Sequence, residues 1–321
     1  MSRFFADYDT LVRSFTGCLP QLYPDRFFVP EGTFNGRILL NPSATPDRVN
    51  VIVSNGGGCY PLSAGFVCRG MADASVSGNV VAAPSAYDIY EAARLLGGRK
   101  GYFLIYNNFM GDYLNNDMAQ ELLALDQIPV RQCPVCDDLL SAPAGSPRSE
   151  RTGLSGIVLL ARIASGAAAE GMDLDEIECL AAFAQTRMST LTVTLNYEEQ
   201  LLELGAGFSG EPPVQTLSDC FTIEGAARTA LDLLTEDLKP RPDEELFFLV
   251  SRLEKTKDED AFLLAAELKR QADVSYRTAK SRPGHFTSLL DAHGFFITML
   301  CADDRLAGYL RDDIAAGGFV L

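Results

Sequence analysis

Apolar positions along this chain follow two alternating rhythms. Short β-branched or aromatic runs, Val49–Ser54, Asn79–Ala83, Tyr102–Tyr106 and Val130–Val135, read as strands. Longer segments with helical spacing, Tyr87–Leu96, Asp117–Leu125, Gly156–Glu170 and Asp175–Arg187, lie between and after them. A second series starts near Met188, with strands at Thr190–Leu195, Leu201–Gly205, Leu246–Val250 and Phe295–Leu300. Its helices are expected at Asp219–Leu234, Asp258–Arg270 and Asp304–Ala315. Strand-helix alternation predicts two α/β domains, 1–187 and 188–321, each a mixed or mostly parallel sheet flanked by helices. The polar breaks at Ala142–Ser149 and Asp237–Asp243 are too short to be linkers, so the domains are expected to pack closely.

A length of 321 residues agrees with two domains, since it exceeds what one hydrophobic core usually spans. Hydrophobic residues at 47% and charged residues at 22% exclude a disordered or fibrous chain. With 27 basic against 43 acidic side chains the net charge is −16, which disfavours direct binding to nucleic acid or to an anionic membrane surface. Asp7 and Asp9 stand where a signal peptide needs its apolar core. The apolar stretch Ser155–Ala169 contains Arg162 and is too short to cross a bilayer. A cytoplasmic protein is therefore expected, and its eight scattered cysteines read as reduced thiols.

Several motifs bear on chemistry. Gly56-Gly57-Gly58 follows a strand, where backbone N–H groups can approach a ligand; a tight turn is the simpler alternative. Gly205-Ala-Gly207-Phe-Ser-Gly210 spells a dinucleotide fingerprint. Pro212-Pro213 follows at once and prevents the helix that such a motif must open. Cys133-Pro-Val-Cys136 lies on an expected strand without a second ligand pair, so it reads as core rather than as a metal or redox site. His285 and His293 are the only histidines, which makes a histidine-centred triad improbable. Asn107-Asn-Phe-Met-Gly-Asp112 ends a strand and makes Asp112 the best acid/base candidate, with helix capping as the alternative.

Taken together, Ser54–Gly58, Gly65-Phe-Val-Cys-Arg-Gly70-Met71, Ala82–Ser85, Asn108-Phe-Met-Gly-Asp112 and Asp137-Asp138 resemble the substrate-binding subunit of dihydroxyacetone kinases, the DhaK family. The resemblance continues through Arg151-Thr-Gly153 with Gly156, Gly205–Pro212, and Thr287-Ser-Leu289 to Thr298, in matching order over essentially the whole chain. It implies two α/β domains per subunit, usually in a homodimer. It also implies a short ketose held covalently by a histidine as a hemiaminal, and a separate DhaL-type partner that carries ADP or ATP with Mg and delivers the phosphoryl group. No cofactor and no metal is expected on this chain itself.

Departures from the family pattern shape the expectation. Ser209 stands at the hemiaminal histidine, Cys59-Tyr-Pro replaces a second histidine segment, and Ala83 and Met110 replace a serine and a threonine. The loop at Asn196–Gln200 is short. The covalent anchor is expected to be lost, because a serine hydroxyl without a paired base is a poor nucleophile. Asp112 remains as the catalytic candidate, and Gly57, Gly58, Cys59, Ala83, Asn108, Ser209 and Glu211 are the expected substrate contacts. The leading expectation is a DhaK-like subunit binding a small keto-sugar or polyol as phosphoryl acceptor, weak or inactive on dihydroxyacetone itself. The alternatives are an inactive ligand sensor or transcriptional co-regulator, and a purely structural paralogue.

Overall fold

A computed structural model describes residues 7–29, 36–56 and 62–311. The chain passes through α1 (Tyr8–Leu22), β1 (Ile38–Leu40), β2 (Asn50–Asn55), α2 (Leu62–Gly65), β3 (Ala74–Ser77), α3 (Ala86–Leu96), β4 (Tyr102–Asn107), α4 (Met110–Leu125) and β5 (Val130–Val135). Helices α5 (Gly156–Ala169) and α6 (Leu174–Thr186) come next, then β6 (Met188–Asn196), β7 (Leu201–Leu204), β8 (Gln215–Leu217), α7 (Ile223–Leu238), β9 (Glu245–Arg252), α8 (Asp258–Ala272), β10 (Arg277–Gly284), β11 (Gly294–Ala302) and α9 (Asp304–Leu310). Two compact units result. One takes in the described residues up to Pro134 together with Leu160–Ala182, and the other Val135–Leu159 and the described residues from Phe183 on.

The first unit carries a five-stranded sheet in the order β1-β3-β2-β4-β5. β2 runs parallel to both β3 and β4, and β1 closes one edge antiparallel to β3. All six residues of β2 and of β4 are buried, as expected for central parallel strands covered on both faces. Ile52, Val76, Leu104 and Val130 pack against Ile89, Ala92 and Ala93 of α3 and against Ala119 and Leu123 of α4. Ser85 caps α3 by accepting the Asp88 N–H at 3.1 Å, and Gly97 ends it in the left-handed region, so its length is set locally.

The second unit carries a six-stranded mixed sheet, β10-β9-β11-β6-β7-β8, in which β10 and β9 are parallel and the other described pairings antiparallel. Leu191, Val193, Phe248, Val250, Phe295, Ile297 and Met299 face α7 and α8. Near the start of α5, buried Asp137 accepts the N–H groups of Leu154 at 2.6 Å and Gly156 at 2.7 Å and the Thr190 hydroxyl. A carboxylate at a helix start is favoured by its free donors and dipole.

The α/β architecture expected from the alternating periodicity is present in both units. Two elements differ. Asn79–Ala83, expected as a strand, is a turn, and the strand is Ala74–Ser77 just before it. Val81 has φ 54°, and the chain doubles back so tightly that a Cβ on Gly78 would lie 1.9 Å from the Ala82 oxygen. Helix α4 begins at Met110, seven residues ahead of the expected Asp117, which places Asp112 inside its first turn. Strands β1, β8 and β10 and helices α1 and α2 were not legible as elements.

Candidate functional site

Parallel strands deliver their carboxyl ends to one edge of a sheet, where ligands collect in open α/β folds. In the first unit that edge holds the ends of β2 and β4, Asn55 and Asn107. Asn55 Oδ1 accepts the Asn107 N–H at 2.9 Å and so ties the two strand ends together. The loop after β3 starts with the Gly78 N–H donating to the Asn55 carbonyl at 2.8 Å. It then runs back against Gly56, where a Cβ would sit 3.2 Å from both the nitrogen and the oxygen of Ala82. Ala83 follows, 3.4 Å from where a Cβ on Gly111 would be. Asn115 Nδ2 donates to the Pro84 carbonyl at 2.8 Å and fastens this loop to α4.

This packing makes Gly78→Ala a sharp test of the loop. The clash is with backbone, so it cannot be relieved by a rotamer change; we expect a stability loss of about 1–3 kcal/mol in urea unfolding. A variant as stable as the wild type would show that the loop is free to move away.

Asp112 is the third residue of α4, whose first turn follows Asn108 and Phe109. Phe109, with extended backbone, is the N-cap and makes no side-chain cap bond. The capping reading of Asp112 is thereby replaced: its carboxylate does not start the helix. The residue is 7% exposed, and its Oδ1 has no hydrogen-bond partner among the described residues. Burial pushes its pKa up to about 7, against a smaller lowering from its own backbone N–H. A second network holds the helix turn itself: Ser54 Oγ donates to Asn116 Oδ1 at 2.9 Å, and Asn116 Nδ2 donates to the Asp112 carbonyl at 2.8 Å. Asp112 is thus fixed in place by backbone while its carboxylate stays available. A carboxyl group that titrates near neutrality can take a proton from a hydroxyl or return one.

Among the residues singled out from sequence, Asp112, Ala83 and Asn108 belong to this edge, with Ala83 and Asn108 half-buried. Gly57, Gly58 and Cys59 lie outside the described residues. Ser209 and Glu211 belong to the second unit, in the turn that follows β7; both are exposed. There the Ser209 N–H donates to Glu211 Oε2 at 2.8 Å and the Gly207 N–H to the Glu211 carbonyl at 3.1 Å, a self-contained turn. β8 follows it rather than a helix, as the two prolines require. His285 is half-buried, and burial, reinforced by Arg252, pushes its pKa down to about 4; His293 stacks edge-on against Tyr197 at 5.0 Å. Cys133 is buried on β5, and no group of three His, Cys, Asp or Glu among the described residues is arranged to hold a metal.

Sequence reading quoted Asn107 within the Asn107–Asp112 motif but gave no role to Asn55, Ser54 or Asn116. The one available signal was that each of the two apolar runs ends on an asparagine, Asn55 and Asn107.

Residues 31–317 match the Dak1 domain. The chain belongs to the Dak1 family. It is 31% identical to the dihydroxyacetone-binding subunit DhaK of the PTS-dependent dihydroxyacetone kinase 2 of Listeria innocua, over 85% of this chain and 86% of that one. It is 29% identical to a D-erythrulose kinase of Mycolicibacterium smegmatis over 85% of this chain but 49% of the relative, so it spans about half the length of that kinase. A chain solved in work on regulation of the Dha operon of Lactococcus lactis shares its fold, with a TM-score of 0.87, 24% identity, and coverage of 98% of this chain and 97% of the other. The DhaK-like fold expected from the sequence motifs is therefore the fold of this protein.

Proposed function

We propose that this chain is the hydroxyketone-binding component of a phosphoryl-transfer system, working as a homodimer with a separate DhaL-type partner. The observation that carries this reading is Asp112: a nearly buried carboxyl whose pKa is raised to about 7, set at the sheet edge with an unused oxygen. It would accept the proton of the ligand hydroxyl that becomes phosphorylated. Ala83 and Asn108 belong to the same edge. The phosphoryl donor, ATP or ADP with Mg, belongs to the partner. An acceptor among three- and four-carbon hydroxyketones is supported by relatives named as a dihydroxyacetone-binding subunit and as a D-erythrulose kinase. In this reading the ligand is held without a covalent bond, since the position of the anchoring histidine is Ser209, an exposed serine in a turn that contains no histidine.

Ser209 is also the observation that favours a second reading, a ligand sensor that binds without turnover. The deciding assay combines the purified chain, a DhaL-type partner and three- to five-carbon ketoses, with thermal shift followed in the same samples. Turnover is the expected outcome. Binding without turnover would move the assignment to a sensor, and silence in both readouts would leave a structural paralogue.

A further inference from the structure

The hairpin between β6 and β7 stands at the other end of β7 from the Ser209 turn. There Tyr197 packs edge-on against Phe221, with ring centroids 5.6 Å apart, and against His293 at 5.0 Å, yet it is 49% exposed. The hairpin is fixed by its own bonds. The Glu199 N–H donates to Asn196 Oδ1 at 3.1 Å, Gln200 Nε2 to the Tyr197 carbonyl at 2.9 Å, and Asn196 Nδ2 to Glu203 Oε1 at 3.2 Å. An aromatic ring held in one place with half its surface in water has the character of an interface anchor. Asp260, in the first turn of α8, lies close enough for its charge to raise the Tyr197 phenol pKa, behind the larger effect of burial. Asp260 makes no ion pair among the described residues, and neither do Glu198 and Glu199 on the hairpin or Glu259 next to it. Lys255 is taken up by Asp291 at 2.8 Å, and Lys257, the N-cap of α8, offsets one of the four charges. Leu263, three residues after Asp260 and so its neighbour on the helix surface, is 57% exposed.

We propose that this patch, Tyr197 with Asp260 at its centre, docks an arginine-bearing segment of a partner protein. The guanidinium stacks on the exposed part of the Tyr197 ring and pairs with the Asp260 carboxylate. A planar, weakly hydrated cation satisfies both groups at once, which a compact ammonium does less well. Leu263 and Phe221 receive apolar residues on either side of the arginine, and such neighbours belong to a peptide segment rather than to a free cation. Charge argues against other occupants. A second copy of this chain meeting the patch face to face brings the same carboxylates, and the net charge of −16 repels phosphate backbones and anionic lipid surfaces. The surrounding carboxylates attract a basic segment over longer range and hasten its encounter. Docking here makes no use of Asp112, so it holds for a phosphotransferase subunit and for a ligand sensor alike.

The chain has only two histidines, so the ring-proton NMR signal of His293 can be followed in the full chain and is identified by its loss in His293→Gln. The probes are N-acetylarginine amide, its citrulline counterpart, which keeps the shape and loses the charge, and the peptide acetyl-Leu-Arg-Leu-amide. The arginine compound is expected to shift the His293 signal and to bind about fivefold or more tightly than the citrulline compound. The peptide is expected to bind about tenfold more tightly than the arginine compound, because its leucines are buried as well. Asp260→Asn and Tyr197→Leu should each weaken the peptide about fivefold, and Tyr197→Phe, which keeps the ring, should retain most of the affinity. If Tyr197→Leu loosens the hairpin, Asp260→Asn and the citrulline comparison decide by themselves. Equal binding of the arginine and citrulline compounds, or a peptide affinity unchanged in Asp260→Asn, would overturn the proposal. Arginine amide bound as tightly as the peptide would replace the protein segment by a small cationic ligand. A His293 signal that no probe moves would overturn docking at this patch altogether.

Discussion

Asp112→Asn is expected to lower phosphoryl transfer by about two to four decades, the usual effect of removing one general acid/base group, and at the same time to stabilise the fold above neutrality. The two effects share a cause. Burial raises the Asp112 pKa from 3.8 to about 7, so the folded chain holds a proton that the unfolded chain has released. Stability falls wherever the folded state binds more protons, which here means between about pH 4 and pH 7. At pH 8 the penalty from a shift of this size is on the order of 4 kcal/mol. Asp138 works in the same direction: burial first, and then the charge of Asp137, raise it to about 7. Urea unfolding of the wild type from pH 5 to pH 8 should therefore show a falling stability, and Asp112→Asn should flatten part of that fall. Wild-type turnover in the variant would show that Asp112 is not the base. A wild-type stability that rises over the same range would show that the carboxyl is solvated and ionised.

Arg187→Met is expected to destabilise the second unit by about 3–5 kcal/mol. Arg187 and Glu244 form a two-pronged pair, Nε to Oε1 at 2.7 Å and Nη2 to Oε2 at 2.5 Å, and both residues are buried. Arg187 Nη1 also donates to the Leu238 carbonyl at 3.0 Å, so the pair closes the end of α7. Glu244 Oε2 accepts the Arg241 N–H at 2.7 Å as well. Removing the arginine leaves a buried carboxylate that has lost its countercharge. Removing both partners costs less, because no ion remains to be desolvated; Arg187→Met with Glu244→Leu should recover much of the loss. Denaturant midpoints of the two single variants and the double one form the cycle. A double variant as unstable as the sum of the singles would mean that the pair acts as two independent anchors.

The family was legible from short motifs distributed over the chain, Asn108-Phe-Met-Gly-Asp112 foremost, because they keep the chemistry and the spacing of a ligand edge. The atoms that make that edge a candidate site were not. Asn55 ends the run Val49–Ser54 and looks like any polar residue at a strand end. Its significance comes from β4 lying beside β2, which brings the Asn107 N–H to one of its atoms and leaves the other without a partner. Asn116 is one of several polar residues in a helix until Ser54, 62 residues away, is seen to donate to it.

What the sequence by itself determined is therefore the alternation of strands and helices, the absence of a dinucleotide-type helix after Gly205–Gly210, and Asp112 as the residue to watch. Those follow from local rules: side-chain periodicity, the missing N–H of proline, and the position of a carboxylate after a strand. The tertiary structure decided the rest. It made Asn79–Ala83 a turn although Val80, Val81 and Ala82 have the composition of a strand, since β3 was already complete and the chain had to return over Gly56. It raised the Asp112 pKa toward neutrality, because burial depends on which segments cover a carboxyl and not on its neighbours in sequence. Pairing between strands and burial beneath helices are properties of residues distant along the chain, and only the folded arrangement brings them together.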